Sequence, residues 1–255
     1  MEDISDTASK EYTNSNTMAR MKEDWKELEF TTVEMDGKSS PILAGEAVEV
    51  LQQALDDHII KTQTMKGSPF AKFMLPEIDA WEKVLMTTSD NLDVWLQVQQ
   101  VWMALEPVFS SEDIIQQMPK EGRIFRQVDK MWEKLMGRIK ANPAALAVVA
   151  IDDLGTTLRS CDAKLGEVQK GLSEYLAEKR KAFPRFYFLS DDELLEILSE
   201  TKDPLRVQPH LRKCFEGVHR LEFDEEKKIL AMQSVEGERV AMERTIDPMA
   251  AKGLV

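Results

Sequence analysis

The residues best equipped for chemistry are His210, Cys214 and His219. His210 and Cys214 stand at i and i+4, so one helix face could offer both to a single zinc-class ion. A closed tetrahedral site needs four ligands, and no second pair stands nearby. The simpler reading is a partly buried thiol and two surface histidines, with a metal-dependent enzyme around His210 and Cys214 as a distant alternative. His58 stands beside Asp56 and Asp57, a placement that suits a helix terminus. Nucleophilic catalysis lacks its parts: there is no Gly-x-Ser-x-Gly elbow, and Cys161 falls on an inward helical position where an inert thiol belongs.

Phosphate chemistry needs a glycine-rich loop whose amides cradle the phosphates, followed by a lysine. Gly37-Lys38-Ser39 has the right ending, but Thr32 stands where the motif needs glycine, and the stretch falls in a hairpin turn. Gly166 and Gly171 have the right spacing, but Leu172 replaces the lysine and the stretch lies inside a helical repeat. The acidic pairs Asp152-Asp153 and Asp191-Asp192 are expected at helix N-termini, where carboxylates meet the positive end of the helix dipole.

The elements that carry these residues are mostly helices. Met18, Met21, Trp25 and Leu28 share one face, with a break expected at Asn14-Ser15-Asn16. Phe30–Met35 and Ile42-Leu43, flanking Asp36-Gly37, suggest a small hairpin. A helix resumes at Glu46 and stops at Gly67-Ser68-Pro69. Ile78, Trp81, Leu85, Thr88, Leu92, Trp95, Gln99 and Trp102 then predict a helix of about 28 residues, ~40 Å long, closed by Pro107. Its tryptophan stripe is either core or a partner groove. Ser110 is placed to cap a short helix ending at Pro119. Ile124, Val128, Met131, Trp132, Leu135 and Ile139 mark the next helix, which halts at Asn142-Pro143.

A third long helix follows from about Asp152, through Leu154, Leu158, Cys161, Leu165, Val168, Leu172 and Tyr175, to Phe183-Pro184. Beyond it Arg185–Leu189 is read as a short strand, with Tyr187 facing either core or a partner. Ser190-Asp191-Asp192-Glu193 is read as a capping box. A short helix surrounds Leu211 and Phe215. Ile229–Met232 and Val240–Glu243, around Glu236-Gly237-Glu238, suggest a second hairpin. The last residues, Ala250 to Val255, carry no stop signal, as a segment cut from a longer protein would end.

Composition agrees with a helix-rich chain. Of 255 residues 43% are hydrophobic and 31% charged, with only 11 glycines and 10 prolines. The balance of 33 basic and 46 acidic residues, a net charge of −13, repels nucleic acid and anionic lipid. Two cysteines are too few for a disulfide framework. With no apolar run near ~20 residues and no targeting signal, a soluble intracellular chain is expected.

Several stretches together resemble one family. They are Asp56-Asp57-His58-Ile59-Ile60-Lys61-Thr62-Gln63 into Gly67-Ser68-Pro69-Phe70, then Trp95-Leu96-Gln97-Val98-Gln99 through Trp102 to Leu105-Glu106-Pro107. Phe109-Ser110-Ser111-Glu112-Asp113-Ile114 and Met118-Pro119-Lys120-Glu121-Gly122-Arg123 follow. Phe183-Pro184-Arg185-Phe186-Tyr187-Phe188-Leu189-Ser190 continues into Asp192–Leu198, and Val207–Leu211 and Lys213–Gly217 close the series. In this order and spacing they resemble the linker region of dynein heavy chains, axonemal rather than cytoplasmic, over residues 1–255. Asn14-Ser15-Asn16-Thr17 departs from the family's amphipathic helix.

The resemblance implies a mainly α fold, an elongated helical-bundle rod with small β-hairpins. Residues 1–182 would form helical-bundle subdomains with a small hairpin near 30–43, and residues 183–255 a further, truncated linker subdomain of short strands and helices. It implies a non-enzymatic mechanical segment that turns ATP-driven change in the AAA+ ring of the same heavy chain into a power stroke. No cofactor is expected in this segment; ATP and Mg belong to the parent motor. Its partners would be that ring, other dynein subunits and, only through the rest of the motor, microtubules, in the cytoplasm and the axoneme of cilia or flagella. A rod that bends at one place needs a gap in its packing. Gly67, Ser68, Pro69, Phe183, Pro184, Arg185 and Tyr187 are the candidate hinge or ring-contact residues, with the long helix 152–182 bridging two subdomains. The alternative is a free-standing spectrin-like scaffold or adaptor that uses the tryptophan stripe as a groove.

Overall fold

Apolar residues at helical spacing become nine α-helices among the described residues of the computed structural model, which describes residues 2–35, 40–199 and 204–251. The fold is mainly α, with two small antiparallel sheets. The hairpin turn at Asp36-Gly37, the Gly37-Lys38-Ser39 sequence and Lys252–Val255 lie outside the described residues.

The chain forms two compact units, residues 1–102 with 127–164, and residues 103–126 with 165–255. The first contains α1 (Glu2–Glu27), the ladder of β1 (Thr32–Val33) and β2 (Ile42–Leu43), and α2 (Gly45–Lys66). A 3-10 turn, Pro69–Met74, leads into α3 (Leu75–Phe109). In β1 and β2 Thr32 pairs with Leu43 and Val33 with Ile42. Helix α1 runs unbroken through Asn14-Ser15-Asn16, against the break expected there. Thr13 and Thr17 turn their hydroxyls onto the carbonyls four residues back, at 2.8 and 2.9 Å, and burial of Met18, Met21 and Trp25 on the same helix outweighs the low propensity of the polar stretch.

The core of this unit is aromatic. Trp81, Trp95 and Trp102 are buried, so the stripe is core and not a partner groove. Trp25 meets Trp81 edge-on at 5.9 Å, Phe30 stacks on Trp95 at 5.5 Å, and Trp102 stacks on Trp132 at 5.5 Å. Trp102 Nε1 donates to Asp129 at 3.1 Å and Trp132 Nε1 to the Pro41 carbonyl at 3.2 Å. The indole N–H groups of Trp81 and Trp95 are buried without a partner, a polar cost that the burial of their rings must outweigh.

Pro107 lies inside α3 rather than closing it. Its ring removes one backbone donor, but only two residues remain beyond it. Phe109 is anchored by stacking on Phe125 at 5.2 Å, and the Ser110 amide still reaches the Glu106 carbonyl at 2.9 Å. Helix α4 (Glu112–Gln117) is preceded by Ser111, not Ser110, and the Ser110 hydroxyl bonds back to Glu106. Helices α5 (Pro119–Ala141), α6 (Ala145–Val149) and α7 (Leu154–Ala182) follow.

In the second unit Arg185–Leu189 is not a strand. Pro184–Phe188 is a 3-10 turn, then come α8 (Asp191–Ser199), a 3-10 turn at Pro204–His210 and α9 (Leu211–Cys214). Proline at the first position fixes φ for a helical start, and bonds from Phe186 N to Phe183 O (2.9 Å) and Leu189 N to Phe186 O (3.2 Å) close it. The capping box forms as read: Ser190 N donates to Glu193 at 3.0 Å and Glu193 N to Ser190 Oγ at 3.2 Å. The second hairpin is β4 (Ile229–Gln233) with β5 (Arg239–Ile246), and β3 (Arg220–Phe223), unforeseen in the sequence, pairs on the other side of β4.

Candidate functional site

The candidate residues belong to two interruptions of the helical packing, one in each unit. The first joins α2 to α3. Gly67 closes α2 in ordinary right-handed geometry (φ −74°, ψ −10°), and its amide donates to the Gln63 carbonyl at 3.1 Å. Ser68 is extended, and its hydroxyl accepts the Phe70 amide at 3.3 Å. Pro69 then starts the 3-10 turn, whose Ala71 and Met74 are buried. Lys66 reaches over the joint to Asp79 (2.8 Å) and Glu82 (2.6 Å) on α3, and those carboxylates hold its ammonium well above the usual lysine range.

The second interruption follows α7. Phe183 is extended, and its ring meets Phe186 at 4.9 Å and Phe215 at 6.2 Å. Arg185 donates to the Cys214 carbonyl at 2.8 Å and lies over the Phe215 ring at 4.7 Å. A strand would alternate faces. The 3-10 turn instead buries Phe186 and leaves Tyr187 and Phe188 63% and 67% exposed. Tyr187 is thus a surface residue.

One residue that sequence reasoning missed holds this second joint. Arg180, largely buried, donates to the carbonyls of Phe186 (3.4 Å) and Leu189 (3.0 Å) and pairs with Asp191 at 2.7 Å. A basic residue in the last turn of a helix commonly meets stranded carbonyls. Lys-Arg-Lys at 179–181 carried that signal without saying which of the three turns inward. Below it Lys213 bonds Glu193, and together with the Ser190 amide it holds the Glu193 carboxyl down at about 2.

The other chemistry-bearing residues disperse. His210 is buried, not a surface residue, with Nε2 3.2 Å from Glu196 Oε2. His219 is exposed, and Cys214 is a buried free thiol pushed up by burial. Among the described residues no cluster of three or more His, Cys, Asp or Glu is placed to hold a metal ion. Cys161 is buried, and burial raises its thiol to about 11, which removes the thiolate a nucleophile needs. Gly166 and Gly171 lie inside α7. A Cβ on Gly171 would stand 2.6 Å from Glu121 Cγ, so that glycine gives room to a neighbouring side chain. His58 is at mid-helix in α2, not at its end, and is buried. Among the described residues no helix is long and apolar enough to cross a membrane.

The chain spans only a small part of the relatives it resembles. It is 49% identical over 255 residues, its whole length, to dynein axonemal heavy chain 3 of Homo sapiens, of which it covers 6%. It is 49% identical over 252 residues to dynein axonemal heavy chain 12 of Mus musculus, covering 99% of the chain and 8% of that protein. To dynein axonemal heavy chain 1 of Mus musculus it is 44% identical over 245 residues, 96% of the chain and 6% of that protein. The family described as dynein heavy chain, N-terminal region 2, matches residues 1–255. With every helix above inside that match, the chain belongs to the dynein heavy chain family as the N-terminal region of an axonemal heavy chain.

Proposed function

We propose that this segment is a mechanical linker of an axonemal dynein heavy chain. It transmits ATP-driven change in the AAA+ ring of the same chain into the power stroke of microtubule-based movement. ATP and Mg act in the parent motor, not here. Its partners are the ring and the other subunits of a dynein complex, and it meets microtubules only through the rest of the motor, in the axoneme of a cilium or flagellum. The observation that carries this reading is the alternation of long packed helices with two short 3-10 joints, in a chain of this family. Helices whose every turn is packed resist bending, so strain collects where the packing changes. The Phe183-Pro184 joint is the better seat for flexing, because one arginine ties its carbonyls while its two outer aromatics touch solvent.

The test uses the intact motor with Gly67→Ala or Pro184→Ala, read as stroke amplitude and microtubule gliding speed. A change with Pro184→Ala and little with Gly67→Ala is expected. If neither substitution alters amplitude or speed, both joints lose their role. The isolated segment should bind a dynein ring and hydrolyse no ATP.

A further inference from the structure

The first unit holds a buried histidine that none of the foregoing uses. His58 is 4% exposed, and its Nδ1 accepts a hydrogen bond from the indole Nε1 of Trp25 at 3.0 Å. An indole nitrogen only donates. Nδ1 must therefore be unprotonated, and the single ring proton sits on Nε2. Trp25 is itself 0% exposed and edge-on to Trp81, so this bond ties α1 to α2 inside an apolar seam, with Thr62 Oγ1 of α2 donating weakly to Met21 Sδ of α1 at 3.9 Å beside it.

We infer that the Trp25–His58 bond is a pH-sensitive clasp: protonation of His58 at Nδ1 expels the indole N–H and loosens α1 from α2. Two N–H groups then point at each other. The step is one proton taken from solvent by Nδ1, with the Trp25–His58 hydrogen bond lost in exchange.

The nearby carboxylates favour the protonated ring in its docked place, and so resist the loosening, but only weakly. From α1 Asp24 Oδ2 lies 3.5 Å from Nε2, and from α2 Asp57 Oδ2 lies 3.8 Å away. Both carboxylates are more than half exposed, and Asp57 is shared with Lys61 at 2.5 Å. Solvent and the ammonium screen them. The 3-10 turn Pro69–Met74 packs on both helices and brings one ionisable side chain, the exposed Lys72; α6, packed on α1, brings none. Lys22 pairs with Glu77 at 2.6 Å. Burial is the largest influence on the imidazole and holds it below its ordinary value; Asp57 and Asp24 pull it up and Lys61 pushes it down.

The docked state therefore binds fewer protons than the opened one. Docking is at full strength above the ordinary imidazole value of about 6.5 and weakens as pH falls below it. It levels off once pH passes the docked value.

The experiment is hydrogen exchange by mass spectrometry on the intact polypeptide, comparing α1 amides at pH 8 and pH 5.5 after correction for the intrinsic exchange rate. The expected result is an opening constant for α1 up to ~10-fold larger at pH 5.5, with amides of α5 and α7 unmoved. His58→Gln keeps an acceptor for Trp25 but cannot titrate, and its α1 profile should be flat. Trp25→Phe removes the donor, so Nδ1 takes a proton without displacing anything, and the loss at low pH should shrink or reverse. Wild-type α1 exchange that does not change between the two pH values overturns the clasp. So does a His58→Gln chain that keeps the wild-type profile; if that variant does not fold, an unaltered profile in Trp25→Phe overturns it equally.

Discussion

The two joints look alike in sequence and differ in what holds them. Gly67-Ser68-Pro69 and Phe183-Pro184 each end a long helix, and each passes into a 3-10 turn opened by proline. The first turn is nailed down by apolar burial at Ala71 and Met74, with an ion-pair brace outside. The second buries Phe186, turns Tyr187 and Phe188 outward, and depends on Arg180 to satisfy its carbonyls. A breaker in sequence marks where a helix stops. Whether the chain can move there depends on what is buried after it.

The largest effect should come from emptying the first joint. Met74→Ala removes a buried side chain from a packed seam, and about 3 kcal/mol of stability should go with it, the usual cost of a large-to-small core change. Tyr187→Ala at the second joint should stay within about 0.5 kcal/mol, because its ring already faces water. Denaturant midpoints measured side by side decide this. Equal losses at the two positions would erase the distinction.

Next in size is the arginine. Arg180→Met keeps much of the aliphatic stem but takes the guanidinium from the Leu189 carbonyl and leaves Phe186 only its turn bond from the Leu189 amide, at about 2 kcal/mol. The loss should appear as faster amide exchange from 184 to 199, with the first joint unchanged. Exchange unchanged over that stretch would mean the aromatic contacts of Phe183 hold the joint alone.

Most of the helical framework was legible because packing enforces the 3.6-residue period. The tryptophan stripe, the capping box at Ser190 and both hairpins followed from patterns that depend on neighbours a few residues away. What escaped turned on which of two competing local signals prevails, or on groups that the fold brings together. Arg185–Leu189 has strand-like residues, but Pro184 presets a helical start and Phe183 offers the carbonyl that closes the turn. Asn14-Ser15-Asn16 has helix-breaking residues, yet the buried face of Met18, Met21 and Trp25 carries the helix through them. Pro107 sits too near the helix end to break it. The Lys-Arg-Lys run did not say that Arg180 is the one that turns inward, and His58 was not legible as a clasp, since their partners at 186–191 and at 24–25 are brought to them by the fold.

The brace at the first joint should matter far less than its two short contacts suggest. Lys66, Asp79 and Glu82 lie at the surface, where solvent and salt screen the pair and side-chain ordering offsets much of the attraction. Lys66→Met should leave the unfolding midpoint nearly where it was. Raised salt should act on wild type and variant alike. A clear drop with Lys66→Met would show that electrostatics, and not Ala71 and Met74, hold the first joint.

The smallest effects carry opposite signs. Gly67 occupies right-handed geometry that any residue adopts, and an added Cβ would stand 3.7 and 3.8 Å from the Thr64 and Gln63 carbonyl oxygens, ordinary contact. Gly67→Ala should therefore stabilise by about 0.5 kcal/mol, because alanine restricts the unfolded chain more than glycine does. Pro184 begins its turn with φ already set and has no amide to leave unpaired. Pro184→Ala frees the unfolded chain and should destabilise by a similar ~0.5 kcal/mol. Calorimetry on the two variants reads the sign directly. If Gly67→Ala destabilises instead, the first joint needs glycine for freedom that its backbone angles do not use, and the claim that it is the rigid partner of the pair fails.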